Sequence, residues 1–600
     1  MADNGLNRTQ QISDERPRLL KSSYRLVLLG LAGAASPLFI GPAKAQTADQ
    51  QPFPDQPAAV EPYGVSDYTG SRYVSRPYGG APSAALPTGN LAQGIRPLRR
   101  SSSIPVDTDG DKSPDATAAP SPNLPPWIIT PYISAREAYT DNARLTPNGS
   151  SDFVTSLSPG IAVQGRTPHL RVAFDGNLTY DLYARSRDLD GFRYNVSGNA
   201  LGEVIKDTLF FDARSSISLE QLNANGVASA LERSLPGNQT QVVNTSISPY
   251  LAHDFGNWAS GQIRYRASFI DYSNANTNSF VLAPTPAGGL AVVNPNSSTS
   301  HQISANIHAG PRFTTFRWAF DVSAGISDFS TNRTVEERSV TATGEYAFNR
   351  ELAALLKVGG DQFKDSTVAN SDTFHPSVRA GGRYSPGPRT DFLVEGGARF
   401  GGPYWSGIFR YRISRTITLT ASHTETLTTQ QGLTGSSLNE LVRDEQGHLT
   451  DPLTGQPTNP NISPFDFTNQ SFSLKTSRIA LSGVTERNFY SVSLEHDERN
   501  LGATRLGQSG TQQQTSLSVG ASVGRQLSRL SSLTLSLSLG KTDDSAGTGG
   551  HDILRAGVTY NYTFLPTLHG SVGYARYSLS NKLGTGYDEN ALFISARKSF

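Results

Sequence analysis

The residues best suited to acid–base chemistry are Asp543, Asp544, His551 and Asp552, grouped in one stretch near the C-terminal end. Carboxylates within reach of an imidazole could activate water, as general acid–base catalysis requires. Other stretches imitate better-known motifs. Gly520-Ala521-Ser522-Val523-Gly524 matches G-x-S-x-G, whose serine must sit on a sharp strand-to-helix turn. Here the pentapeptide falls inside unbroken alternation. Gly540-Lys541-Thr542 ends like a phosphate loop, yet Leu535 stands where its first glycine belongs. Asp107-Thr108-Asp109-Gly110-Asp111 is half a calcium loop without the distal glutamate, and Asp254-Phe255-Gly256 reads as a tight turn. The chain has no cysteine, and its one methionine is Met1, so thiolate catalysis, Cys-bound zinc and iron–sulfur chemistry are excluded. The expectation is a protein that is not an enzyme and holds no metal and no cofactor, with the Asp543 group an exposed polar loop.

The elements that carry these residues alternate. In Leu533-Thr534-Leu535-Ser536-Leu537-Ser538-Leu539 every odd residue is apolar and every even one a hydroxyl. Leu517, Val519, Ala521 and Val523 alternate with Ser516, Ser518 and Ser522 in the same way, as do Ile417, Leu419 and Ala421 with threonines. A helical period of 3.6 cannot produce this, so the pattern predicts strands with one apolar and one small-polar face. About 22 such strands of roughly ten residues can be marked between Trp127 and Phe600. Their connections sort by length. Tight turns at 165–168, 254–257, 348–350, 385–388 and 565–566 alternate with long loops at 221–240, 273–298, 427–468 and 542–550. Short turns at one end and long loops at the other mark an outer-membrane barrel, whereas a sandwich has no reason to sort its loops. The fold class predicted is therefore all-β, a transmembrane antiparallel up-and-down barrel of 18–22 strands. The lower figure allows for Pro159, which would place the first strand pair partly outside the wall.

Composition agrees. Apolar residues make up 36% and charged residues 17%, against about 45–50% and about 25% in ordinary globular domains. Net charge is +1, which offers nucleic acid no electrostatic footing. No run of about 20 apolar residues, the length a spanning helix needs, occurs. Residues 1–45 read as a signal peptide: a flank with Arg16, Arg18, Lys21 and Arg25, an apolar run from Leu26 to Ile40, and Ala43-Lys44-Ala45 before Gln46. Residues 46–126 are rich in Pro, Gly and Ser and read as a disordered periplasmic arm, leaving 127–600 for the barrel.

Assigning apolar parity to lipid leaves the other parity for the lumen. Arg264, Arg266, Arg379, Arg383, Glu395, Arg399, Arg410 and Arg412 would line an arginine-rich arc there, with Gln262 beside them. Asp175, Asp181 and Asp212, with Asn177, Arg193, Glu203, Arg214 and Glu220, would line a more acidic one. Separated arcs could impose a transverse field that orients polar or anionic solutes. The alternative is that the charges pair across neighbouring strands and keep the lumen hydrated. Trp127, Tyr132, Tyr139, Phe153, Trp258, Tyr404 and Trp405 fall near strand ends, where interfacial girdles would place them.

Thr130-Pro131-Tyr132-Ile133-Ser134-Ala135-Arg136-Glu137-Ala138-Tyr139-Thr140-Asp141-Asn142 begins a segment with a family likeness, and Ser151-Asp152-Phe153-Val154-Thr155 with Ser158-Pro159-Gly160 continues it. The segment resembles the opening of the outer-membrane proteins associated with the PEP-CTERM system, grouped with the β-barrel porins encoded among exopolysaccharide genes. The resemblance implies a barrel engaged in export or surface handling of exopolysaccharide, with outer-membrane lipid, the barrel-assembly machinery and the polymer or its export machinery as partners. It supplies no catalytic residues. Leu592, Ile594 and Ala596 alternate toward Phe600 like the terminal assembly signal of bacterial barrels, although Lys598 departs from that pattern. Two functions remain at this level: a porin-like pore for polymer or polar solute, and a non-conducting barrel presenting its long loops. A lumen this wide would leak if open, so the arm or an inward-folded 427–468 is expected to fill it. A gated metal-chelate receptor would need a folded plug of more than 100 residues ahead of the barrel, longer than the stretch 46–126.

Overall fold

The computed structural model describes residues 127–600 except 223–227, 232, 234–237, 274–280, 285–289, 294, 370, 444–448, 452–462, 509, 511, 546–549 and 582–585. The predicted signal peptide and arm lie outside the described residues. The first seven strands are β1 (Trp127–Thr140), β2 (Asp152–Arg166), β3 (Leu170–Tyr183), β4 (Gly191–Ile205), β5 (Leu209–Gln221), β6 (Gln239–Asp254) and β7 (Ala259–Ser273). Next come β8 (Ser298–Ala309), β9 (Phe316–Phe329), β10 (Thr334–Ala347), β11 (Leu352–Asp365), β12 (Thr373–Gly387), β13 (Thr390–Arg399), β14 (Gly402–Arg412) and β15 (Ile417–Thr428). The last are β16 (Phe472–Val484), β17 (Asn488–Leu501), β18 (Gln512–Gln526), β19 (Ser531–Asp544), β20 (His551–Leu565), β21 (Leu568–Asn581) and β22 (Tyr587–Ser599).

Each strand pairs antiparallel with the next in sequence, and β22 pairs back onto β1 from Tyr132↔Ser599 to Thr140↔Ala591, closing one 22-stranded sheet. Closure leaves no free sheet edge, which a β-structure in hydrocarbon requires because no water is there to satisfy one. The strand count is the upper limit expected, and Pro159 shows why. Its ladder with β1 is continuous through Ile133↔Pro159, while the ladder with β3 stops at Leu157↔Tyr180 and resumes at Gly160↔Asn177. The missing N–H is turned toward β3 and costs a local gap rather than a strand. Pro249 in β6 does the same toward β7, between Ile247↔Ala267 and Tyr250↔Arg264.

The alternation sets the two faces. Leu535, Leu537 and Leu539 point outward and are exposed, while Thr534 and Ser538 on the same strand are buried inside. Ile129, Leu157, Ile263, Val378, Val523, Leu592 and Ile594 continue the outward apolar surface around the wall. A closed sheet with an apolar exterior and a polar interior is a membrane-spanning barrel, and the chain is an outer-membrane protein. Trp127, Tyr139, Phe153, Trp258 and Trp405 lie on the outward face as expected of girdle residues, but Tyr132 and Tyr404 do not. Both are buried: their parity along β1 and β14 is that of the lumen, and nearness to a strand end does not override it.

The turns after even-numbered strands hold two to six residues, whereas seven of the eleven connections after odd-numbered strands are longer, 330–333, 400–401, 545–550 and 582–586 being the exceptions. Helix α1 (Gln430–Glu440) lies in the longest of them, between β15 and β16.

Candidate transport lumen and its inward segments

All eleven charged residues expected on the lumen share the parity that faces it, but they do not form two opposed arcs. Beside β12, Arg379 contacts Glu395 at 3.3 Å and Thr341 at 3.4 Å, and Lys357 reaches the same carboxylate at 2.7 Å. Arg383 pairs with Asp391 at 3.2 Å and Arg399 with Asp361 at 3.4 Å. In the sector thought acidic, Asp181 holds Arg193 at 3.1 Å and accepts from Ser156, and Asp212 holds Arg214 at 3.1 Å. Asp175 accepts from the Tyr132 hydroxyl at 2.9 Å, and Arg597 stacks 3.5 Å over the Tyr132 ring. Arg264 donates to Ser248 and lies 4.0 Å over Tyr250, and Arg266 donates to Gln302. Arg410 is half-buried on the lumen face of β14, and Arg412 is exposed beside the turn into β15. Arg379, Arg383, Arg399, Asp181 and Asp212 are thus each balanced by a neighbour of opposite charge, the cross-strand pairing weighed against a transverse field, whereas Arg264 and Arg266 meet neutral groups. Between these sectors, β18 and β19 present Ser516, Ser518, Thr534, Ser536 and Ser538, an uncharged hydroxyl wall.

What the sequence signals least is what fills the extracellular half. The described residues of the segment 429–471, which joins β15 to β16, fold into the lumen. Thr429 caps α1 by accepting from the Gly432 N–H, and seven of the helix's residues are buried. The helix packs on β5, β6 and β7, and Leu449–Thr450 further along packs on β4, strands that stand across the ring from β15 and β16. Arg214 of β5 donates to the Leu438, Asn439 and Leu441 carbonyls at 3.2, 2.8 and 2.8 Å, taking up groups that a helix C-terminus leaves open. Asn244 donates to the Thr434 carbonyl, Ser246 to Asn439 and Gln431 to the Asn296 carbonyl. The return leg is held by Arg478 on Asp451 at 2.9 Å, by Arg499 on the Asp466 carbonyl, and by Arg333 on the Asn469 carbonyl and Ser471. Arg499 also lies over the rings of Phe465 and Phe472.

A second segment, between β5 and β6, is pinned beside the seam where β22 meets β1. Arg233 is fully buried and pairs with Glu589 of β22 at 2.8 Å. It also donates to the Ala143 and Asn142 carbonyls and to the Tyr183 hydroxyl. Thr140 of β1 and the Ala230 N–H donate to the same carboxylate. Burial alone would pull the Arg233 guanidinium down, but Glu589 and Tyr183 beside it more than reverse this, and its pKa lies above the ordinary value.

The motif-bearing residues fall where a wall would put them. Ser522 is mid-strand in β18, with no helix following. Asp543 and Asp544 end β19 and His551 and Asp552 begin β20, with 546–549 between them outside the described residues. Phe600 is exposed beside β1, its N–H on the Pro131 carbonyl.

No protein-family model and no curated protein matches the chain. Among solved structures it is similar to the ferric-catecholate import receptor Fiu from E. coli K12, at 9% identity and a TM-score of 0.43 over 78% of this chain and 81% of that one. It is similar to the siderophore receptor PirA from Acinetobacter baumannii, at 9% identity and a TM-score of 0.43, with 78% and 80% covered. The FrpB iron transporter from Neisseria meningitidis follows at 10% identity and a TM-score of 0.42, with 78% and 81% covered. Likeness this remote assigns no ligand.

Proposed function

We propose that the protein is a gated outer-membrane conduit for polar, largely uncharged solute or polymer, closed in this state by the segment 429–471. The observation that carries the reading is the path of that segment from β15 across the lumen to β4–β7. Most of its links, those from Arg214, Arg333, Arg499, Asn244 and Gln431, run to backbone carbonyls. Such bonds can be exchanged for water without stranding an opposite charge, and the Arg478–Asp451 pair is the ion pair that must part for the segment to leave the lumen and return. The paired charges and the hydroxyl wall would then give passing solute a hydrogen-bonding surface with little net charge. A role in exopolysaccharide passage is consistent with that chemistry and is what the resemblance of residues 130–161 implies. No catalytic step belongs to this reading. A barrel that merely displays its loops would expose α1, whereas most of that helix is buried.

The test is planar-bilayer conductance of the full chain against a variant with 430–470 replaced by a short Gly-Ser linker. The full chain should conduct rarely and the variant steadily. Silence in both would end the conduit reading and favour a structural barrel.

A further inference from the structure

Where β22 meets β1, strand register lines polar side chains into two rows on the lumen face. One row carries Asn561, Ser571, Ser595, Arg136, Ser156 and Asp181, each opposite the next across six strands. Toward the short-turn end a second row carries His569, Arg597, Ser134 and Ser158. Most of these residues, with Asn177, Thr179, Arg193 and Asn195, line a cavity of about 80 Å³. Where one water takes about 10–15 Å³, this is space for roughly six waters, the bulk of one sugar ring. Phe593 closes the cavity toward the long-loop end. The same ring packs with Leu231 of the β5–β6 segment, Ala138, Ala575 and Ala591, so that pinned segment forms a roof. A smaller cavity shares Asn561, His569 and Gly570 and extends to Gln526 and Arg529 at the turn before β19, on the periplasmic side.

The charges around the cavity are built in rather than loose. Tyr132 lies over Gly160, where a Cβ would come within 2.3 Å of the ring, and Arg597 stacks 3.5 Å over that ring. Asp175 accepts from the Tyr132 hydroxyl and stands 3.8 Å from Arg597. Arg193 is held by Asp181, and Arg136 donates to Ser156, which itself donates to Asp181. Arg136 and Arg193 are each more than nine-tenths buried, yet both line the cavity. Among the described residues that line it, none is Asp or Glu. Three guanidiniums thus meet two carboxylates set behind them, which leaves one positive charge in excess.

We infer that this cavity is a binding subsite for one sugar residue that carries a carboxylate. The excess of one charge matches a carboxylate, whereas a phosphate brings nearly two. Guanidinium forks suit a carboxylate, and a charge-assisted bond in a partly dry lumen is strong. The remaining lining fits ring hydroxyls, which donate and accept at once. Asn177, Asn195 and Asn561 offer both roles, as do the serine hydroxyls, while a bare anion would use only donors. A largely uncharged polymer with occasional acid groups would pause here on its way from the periplasmic mouth. The site rests on the conduit reading only for how such a polymer arrives.

Isothermal titration calorimetry of the full chain in detergent micelles, with trigalacturonate, maltotriose and inorganic phosphate as probes, tests the assignment. Trigalacturonate should bind at least about tenfold more tightly than either other probe, the worth of one charge-assisted hydrogen bond. Arg136→Gln should remove that advantage. Should this variant lose the gel mobility of the folded barrel, Asn195→Asp tests the same cavity by adding a negative charge, and should abolish trigalacturonate binding. Asn561→Ala should weaken trigalacturonate while leaving phosphate unchanged. Trigalacturonate that binds no more tightly than maltotriose or phosphate, or that Asn195→Asp leaves bound, would overturn the proposal. Binding is read here without transport. Silent bilayers would therefore end the conduit reading and leave the subsite standing, and absent binding in a conducting protein would end the subsite alone.

Discussion

The two segments that fold into the lumen are held by different chemistry. The described residues between β5 and β6 are fixed by the fully buried Arg233, whose carboxylate partner belongs to the last strand, beside its seam with the first. The 429–471 segment reaches further, and of the arginines that hold it Arg214, Arg333 and Arg499 meet its neutral carbonyls while Arg478 pairs with its Asp451. A buried ion pair that loses one member leaves a stranded charge, whereas a lost arginine–carbonyl bond leaves a group that water can satisfy. The first segment is therefore held as part of the wall, and the second is held as the proposed latch would be. Where an arginine stands in this barrel says less about its role than what faces it.

This contrast can be broken in order of effect. Arg233→Ala should cost about 3–5 kcal/mol of stability, because it strands Glu589. The loss would be read as a lowered midpoint of heat-induced mobility change. Replacing Arg233 and Glu589 together by methionine should restore most of it; no recovery would mean the segment is held by packing instead. Arg214→Ala should cost less, about 1.5–3 kcal/mol spread over its carbonyl bonds. It should raise the frequency of channel openings, and because it also leaves Asp212 without its ion pair it should lower the unfolding midpoint, though less than Arg233→Ala does. Thr429→Ala removes the cap of α1, worth about 1 kcal/mol, and should raise opening frequency slightly. Replacing both members of two lumen pairs by glutamine, Arg379 with Glu395 and Arg383 with Asp391, sharpens the account of the wall. Each pair is neutral as a whole, so the reversal potential of the latch-free variant should move only slightly. A large shift in either direction would revive the separated-arc reading.

The strands were legible because each carries its own evidence: a period of two, with turns at regular intervals. Lumen parity followed from the same period, and so Arg379, Asp181 and Arg264 were placed on the right face without knowledge of their partners. The partners were not legible, since Arg597 with Tyr132 and Asp175, or Lys357 with Glu395, depend on register, which no single strand contains. Inward folding of 427–468 could be suspected only from the width of the lumen. Gln430–Glu440 contains two glycines and few apolar residues, so its helix owes its stability to Thr429, Arg214 and the wall rather than to propensity. Arg233 and Glu589 carried no local signal at all; they are far apart in sequence and meet only because the barrel closes.

The most direct test of the latch joins Ser246 to Asn439, whose side chains hydrogen-bond at 2.9 Å between the wall and α1. Ser246→Cys with Asn439→Cys introduces the only thiols in the chain. In planar bilayers the oxidised protein should stay closed, and openings should appear when dithiothreitol is added to the same membrane. Equal conductance before and after reduction would contradict the account, because the lumen would then pass solute without the segment leaving it.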